Sequence, residues 1–239
     1  MAPSIGSVLW RRWGETRTRK GIGGTLREIG SDVWEFLRES TPERKRLRYG
    51  DVEYDWDHHV DTTSATVSNR SRLIAALSGA PYQPTDPMEF REMMQAVVID
   101  LRQFTFVDLG SGKGRTLLMA SEFPFRRIIG VELLPELHEI ARKNISAFAS
   151  AEQKCTTIES VCSDARDYQF PEEPLLLYLF NPLPSAALRT MVQNLRQSVM
   201  RSPRPVRVIY QNPLSENVLA EAGFLFKINS TFQYSIYSN

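Results

Sequence analysis

Three glycines at alternate positions, Gly110, Gly112 and Gly114, join a short apolar run to a helical one in the segment Val107-Asp108-Leu109-Gly110-Ser111-Gly112-Lys113-Gly114. Glycine permits a tight turn and lets a ligand lie against backbone N–H groups where a Cβ would collide. Such a turn serves several ligand classes, so the flanking residues must discriminate. A dinucleotide fingerprint needs Gly or Ala at the last position of G-x-G-x-x-G, where this chain has Arg115. A P-loop needs G-x-x-x-x-G-K-[ST], but Lys113 is followed by Gly114 and the earlier glycine is missing. Both patterns fail at a residue with a physical task. Two further acids, Glu132 and Asp164, close later strand-like runs. Taken alone, Glu132 also reads as a helix N-terminal acid ahead of Pro135, and Asp164 as a turn residue.

The elements that must hold these residues are legible from periodicity. Strands and helices alternate from Phe104 onward: FTFVDL, a helix from Arg115 to Glu122, RIIGVE, a helix from Glu136 to Ala149, IESVCSD, LLLYLF, a helix from Ser185 to Met200, VRVIYQ and a short helix at 215–222. Nearly all-apolar strands separated by helices imply a parallel sheet buried on both faces. The last two runs, FLFKINSTF and QYSIYS, have no helix between them and predict an antiparallel hairpin. The expected fold is α/β: a three-layer, doubly wound, mostly parallel sheet of about seven strands ending in that hairpin, with ligands at the carboxyl ends of the strands. A helix is expected from Pro87 to Leu101, and an amphipathic one over 25–38 with Leu26, Ile29, Val33, Phe36 and Leu37 on one face. Residues 50–64 show no period and read as a loop. The expected organisation is an N-terminal helical extension and substrate lid over 1–80 and a catalytic domain over 81–239.

The glycine turn resembles motif I of the class I, Rossmann-like S-adenosylmethionine-dependent methyltransferases, which place an acid two residues before the first glycine, where Asp108 stands. The nearest likeness is to bacterial members of unassigned substrate. The resemblance implies that S-adenosyl-L-methionine is the cofactor. Asp108, Gly110, Ser111, Gly112 and Gly114 would line it, Glu132 with its neighbour Leu133 would take the ribose hydroxyls, and Asp164 with Ala165 would face the adenine. A carboxylate suits the ribose because it accepts two donors at once. Phe180-Asn181-Pro182-Leu183-Pro184, after the fourth strand, resembles the [DNS]-P-P-[YFW] signature of amine methyltransferases. Asn181 and Pro182 are therefore the expected catalytic residues, although Asn and Pro also end strands. The aromatic of that signature is absent, which argues against a nucleobase. Asn212-Pro213-Leu214 repeats the tripeptide after the fifth strand and marks either a second substrate carboxamide or a second turn. Pro81-Tyr82-Gln83-Pro84-Thr85 resembles the P-Y-x-P stretch of protein-lysine methyltransferases of the ATP-synthase c-subunit type, which nominates Tyr82 and Thr85 for the substrate.

The expected activity is methyl transfer to an amine nitrogen of a protein side chain or small molecule. The alternatives are a cofactor-binding subunit without turnover and a nucleic-acid methyltransferase. Lysines and arginines nearly balance the acids, 29 against 28, so overall charge does not favour nucleic acid. Residues 1–50 do hold eleven basic and six acidic side chains, a local excess read first as a solvated face. Cys155 and Cys162 make neither a zinc pattern nor a disulfide framework, in keeping with a reducing cytoplasm. No run approaches the ~20 apolar residues that span a bilayer, and no signal-peptide pattern is present. No metal is expected: His58 and His59 are adjacent and point apart on an extended chain. Tyr54, Trp56 or Asp61 would contribute to a lid, and His138 reads as a surface residue.

Overall fold

The computed structural model describes residues 4–39, 52–77, 82–180 and 183–239. The chain divides into two compact units, Met1–Gln83 and Pro84–Asn239.

In the first unit, α1 (Ile5–Glu39) packs against α3 (Asn69–Leu77), with α2 (Val52–His58) between them in sequence. The helix expected at 25–38 thus begins at Ile5, and Leu26, assigned to its packed face, is 57% exposed. The loop expected over 50–64 is also corrected, because α2 occupies 52–58. Its end is fixed by side-chain chemistry that periodicity does not register. The buried Asp55 carboxylate accepts the backbone N–H groups of Thr62 and Thr63 at 2.7 and 2.9 Å, and His59 turns the chain at φ 55°. Those bonds replace the helical ladder beyond the turn.

In the second unit, seven strands among the described residues form one sheet in the order β3-β2-β1-β4-β5-β7-β6. They are β1 (Thr105–Leu109), β2 (Arg127–Glu132), β3 (Ile158–Cys162), β4 (Leu175–Phe180), β5 (Val206–Gln211), β6 (Phe226–Ser230) and β7 (Tyr234–Ser238). The first five are parallel, and β7 enters antiparallel between β5 and the exposed edge strand β6. Side chains alternate across the sheet. Val107, Leu109, Leu177 and Leu179 cluster with Leu188, Met191, Val192 and Leu195 of α7 (Ser185–Arg201) and with Val218 and Leu219 of α8 (Glu216–Ala220). Burying each such side chain contributes about 1.5–3 kcal/mol.

Phe106, Asp108 and Tyr178 face the other way, toward α4 (Pro87–Ala96), α5 (Arg115–Ala120) and α6 (Pro135–Ala147). Phe90 of α4 meets Phe106 and Tyr178 edge-on, at centroid distances of 6.0 and 5.8 Å. Helix α4 starts where Asp86 accepts the N–H groups of Met88 and Glu89, with Pro87 at its first position. It ends five residues before the expected Leu101, because Val97 adopts extended backbone and Val98 faces outward, 93% exposed. The apolar rhythm thus outlasts the helix.

Candidate functional site

The turn between β1 and α5 depends on backbone conformations open chiefly to glycine. Gly110, Gly112 and Gly114 have φ of 90°, 55° and 85°. At Gly114 a Cβ would also stand 3.2 Å from the Ala141 Cβ of α6, so the small residue seats α5 against its neighbour. Across the turn, Glu132 at the end of β2 accepts the Gly112 N–H on Oε2 at 2.8 Å and the Leu134 N–H on Oε1 at 2.7 Å. Burial raises the Glu132 carboxyl above its ordinary range, while the backbone N–H bonds from Leu134, Gly112 and Leu133 pull it back. A carboxylate has about four acceptor positions. Capacity therefore remains for a ligand hydroxyl after Gly112, Leu133 and Leu134 are served.

Asp108 pairs in register with Gly130 of β2 on one side and Tyr178 of β4 on the other, fully within the sheet, and accepts the Thr116 hydroxyl of α5. Burial pushes its carboxyl up to about 7, against the Thr116 bond and with the help of the Glu132 charge. Lys113 and Arg115 are also buried, and burial lowers the Arg115 guanidinium to about 10. The Ser111 hydroxyl oxygen is buried without a hydrogen-bond partner among the described residues. An orphaned hydroxyl beside three positive-φ glycines and a buried acid fits a polar ligand such as S-adenosyl-L-methionine lying over the turn.

Asp164 follows β3, near the carboxyl edge, and is clasped by Arg166. Arg166 Nε reaches Oδ1 at 2.9 Å, Nη2 reaches Oδ2 at 2.5 Å, and the Arg166 backbone N–H adds a third bond at 3.0 Å. This fork holds Asp164 in one orientation. Ala165 beside it is buried and Leu133 half-buried.

The substrate candidates separate. Asn181 and Pro182 lie outside the described residues, as does Pro81 of the P-Y-x-P stretch. Thr85 is buried and bonds the Tyr178 hydroxyl at 2.7 Å. Tyr82 belongs to the other unit and donates its hydroxyl to the Thr62 carbonyl at 2.5 Å. Asn212 takes the left-handed conformation at φ 48°, its side chain exposed and its backbone bonded to Gln233 and Leu214, which is the geometry of a turn. Of the lid candidates, Trp56 is exposed, Tyr54 stacks on His58, and Asp61 accepts the Thr66 hydroxyl. His138, expected at the surface, is mostly covered, its Nδ1 2.8 Å from the Ser160 hydroxyl on β3. No group of three metal-ligating side chains occurs among the described residues, and no helix among them is long and apolar enough to cross a membrane. Sequence patterns missed Thr116, Gly130, Arg166, Glu89 and Gln211, and only the alternation of β4 and β5 hinted at any of them.

The family model described as "Histone methylation protein DOT1" matches residues 65–157, which span the glycine turn and Glu132 but stop before Asp164. No curated protein sequence matches the chain. Among solved structures, an RNA methyltransferase from Salinibacter ruber in complex with S-adenosyl-L-homocysteine is 22% identical, over 65% of this chain and 92% of that one, with a TM-score of 0.43. The ribosomal protein L11 methylase of Lactobacillus delbrueckii subsp. bulgaricus is 13% identical, over 66% and 80%, with a TM-score of 0.45. A predicted N6-adenine-specific DNA methylase from Listeria monocytogenes is 16% identical, over 65% and 51%, with a TM-score of 0.48. The strand order and the loop geometry of the chain itself carry the assignment. A sheet of this order, which folds a glycine turn after β1 onto the acid that ends β2, has the Rossmann-like fold of the class I methyltransferases, whose cofactor is S-adenosyl-L-methionine.

Proposed function

We propose that the enzyme transfers the methyl group to an amine nitrogen of a protein. The carrying observation is the run of β4 from Tyr178, the rung partner of Asp108, to Phe180, the residue immediately before Asn181. Strand β4 therefore ends, at Phe180, beside the strand that feeds the glycine turn, and Asn181 and Pro182 follow it in sequence. The family match, to a model named for histone methylation, supports a protein acceptor.

When bound, the cofactor supplies a methyl carbon already activated by its sulfonium. The chain then has to position groups and exclude water. In this reading Ser111 and the glycine turn hold the amino-acid end, Glu132 takes the ribose, and Asp164, steadied by Arg166, accepts from the adenine amino group. Asn181 accepts a hydrogen of the attacking amine. A neutral carboxamide suits this task, because an amine attacks as the free base and a carboxylate would hold its proton. Asn212, with its turn geometry, is left out of that pocket.

Incubating the protein with methyl-labelled cofactor and a cell lysate, then separating protein, RNA, DNA and small molecules, tests the reading. Label on protein that survives base hydrolysis of esters and elutes with methylated amines is expected. Label confined to nucleic acid would overturn it and favour a role for the basic residues of 1–50.

A further inference from the structure

A chain of hydrogen-bonded side chains within residues 84–239 connects α4 to the carboxyl edge of the sheet. Thr85 Oγ1 lies 2.7 Å from the Tyr178 hydroxyl, which bonds Gln211 Oε1. Gln211 Nε2 donates to Glu89 Oε2 at 2.7 Å, and Gln233 Nε2 donates to Glu89 Oε1 at 3.1 Å. Thr85, Tyr178 and Gln211 are buried.

One end sets the direction of every bond. A carboxylate only accepts, so Gln211 turns its NH2 toward Glu89 and its carbonyl oxygen toward Tyr178. That oxygen has no proton, so Tyr178 donates. Burial, reinforced by the charges of Asp108 and Glu89 against the Thr85 bond, holds the phenol well above the ordinary tyrosine range and keeps that proton in place. The Tyr178 proton is then spent, and Thr85 gives its own to the Tyr178 oxygen. The Thr85 hydroxyl keeps only lone pairs for whatever else meets it. Asp108, the register partner of Tyr178 on the adjacent strand, is a second acceptor nearby. A ligand group received by both must bring protons, and the ionised form of Asp108 favours one that also carries positive charge.

S-adenosyl-L-methionine has one such group, the α-ammonium of its methionine end. We propose that Glu89 is a positioning residue which, through Gln211 and Tyr178, fixes the Thr85 hydroxyl as a hydrogen-bond acceptor for that ammonium. The inference rests on the cofactor assignment and is independent of the methyl acceptor.

The test is calorimetric binding of two ligands to the full chain: S-adenosyl-L-homocysteine, which carries the ammonium, and 5′-methylthioadenosine, which lacks the amino-acid end. Thr85→Val removes the hydroxyl with little change of shape and should weaken S-adenosyl-L-homocysteine about tenfold or more, the range for a hydrogen bond to a charged group, with methylthioadenosine moving less than about twofold. Glu89→Lys can only donate, so it reverses each bond and aims the Thr85 proton at the ammonium. It should reproduce the loss, whereas Glu89→Gln, which keeps an acceptor oxygen for Gln211, should stay within about threefold. In the Thr85→Val background Glu89→Lys should have no further effect, as expected when two residues act through one bond. Equal weakening of both ligands, an unchanged Thr85→Val variant, or a Glu89→Lys loss that persists without Thr85 would overturn the proposal. A parent protein that binds neither ligand would overturn the cofactor assignment itself. If Glu89→Lys does not fold, the split between ligands in Thr85→Val decides alone.

Discussion

Glu132, the last residue of β2, accepts the backbone N–H of Gly112, so the acid at one strand end holds the glycine turn that follows its neighbour. One carboxylate thereby shapes the cradle and keeps acceptor capacity for the ligand in it. Glu132→Ala should weaken S-adenosyl-L-homocysteine by about 10- to 150-fold, equivalent to roughly 1.5–3 kcal/mol. Calorimetry on a variant with an unchanged far-ultraviolet spectrum checks this, and an unaltered Kd would remove Glu132 from the cofactor site.

Asp108 predicts a pH dependence. Its carboxyl is raised to about 7 in the folded chain, so the fold favours the protonated form. This contribution to stability is complete below about 4, the ordinary value, and is lost as pH climbs through about 7. Placing the cofactor ammonium beside it favours the ionised form instead. Binding should therefore release a proton, with affinity rising between about pH 6 and 8. Calorimetry in two buffers of different ionisation enthalpy measures the release; Asp108→Asn should abolish it and flatten the stability difference. Equal proton release in parent and variant would show that another group titrates.

Gly130 on β2 is a packing requirement for the turn. A Cβ there would stand 2.6 Å from both the Leu117 Cδ1 and the Ser111 hydroxyl oxygen. Gly130→Ala should cost about 1–3 kcal/mol of stability by overpacking, lowering Tm by several degrees. S-adenosyl-L-homocysteine affinity should fall with it, because Ser111 has to move. A variant with the parental Tm and Kd would mean that α5 shifts freely, contrary to this packing.

Asn181 carries the acceptor prediction. Asn181→Ala should leave cofactor affinity within about threefold and lower turnover by about tenfold or more, the pattern of an interaction made mainly in the transition state. Asn181→Asp should move the rate profile to higher pH, since a carboxylate stabilises the ammonium form of the substrate. Parental turnover in both variants, measured on the protein acceptor found by labelling, would reduce Asn181 to a strand-end residue.

The sequence by itself determined the parallel core. Strands β1, β2, β4 and β5 are covered on both faces, so each is written as a continuous apolar run, and the glycines and acids at their ends mark the carboxyl edge. The closing hairpin was equally legible, since no helix separates its strands. Periodicity reads one element at a time, and it failed where a partner distant in sequence decides the outcome. Asp55 ends α2 with bonds to Thr62 and Thr63, His138 is covered by Ser160, and the apolar rhythm of α4 runs on past its end at Ala96. The polar chain is the fullest case. Gln211 and Glu89 are 122 residues apart, and each alone is an unremarked polar residue. Only the tertiary structure, by bringing α4 over the edge of β4 and β5, sets Glu89 against the buried Gln211 and Tyr178 and so lets one carboxylate dictate where every proton in the chain must lie.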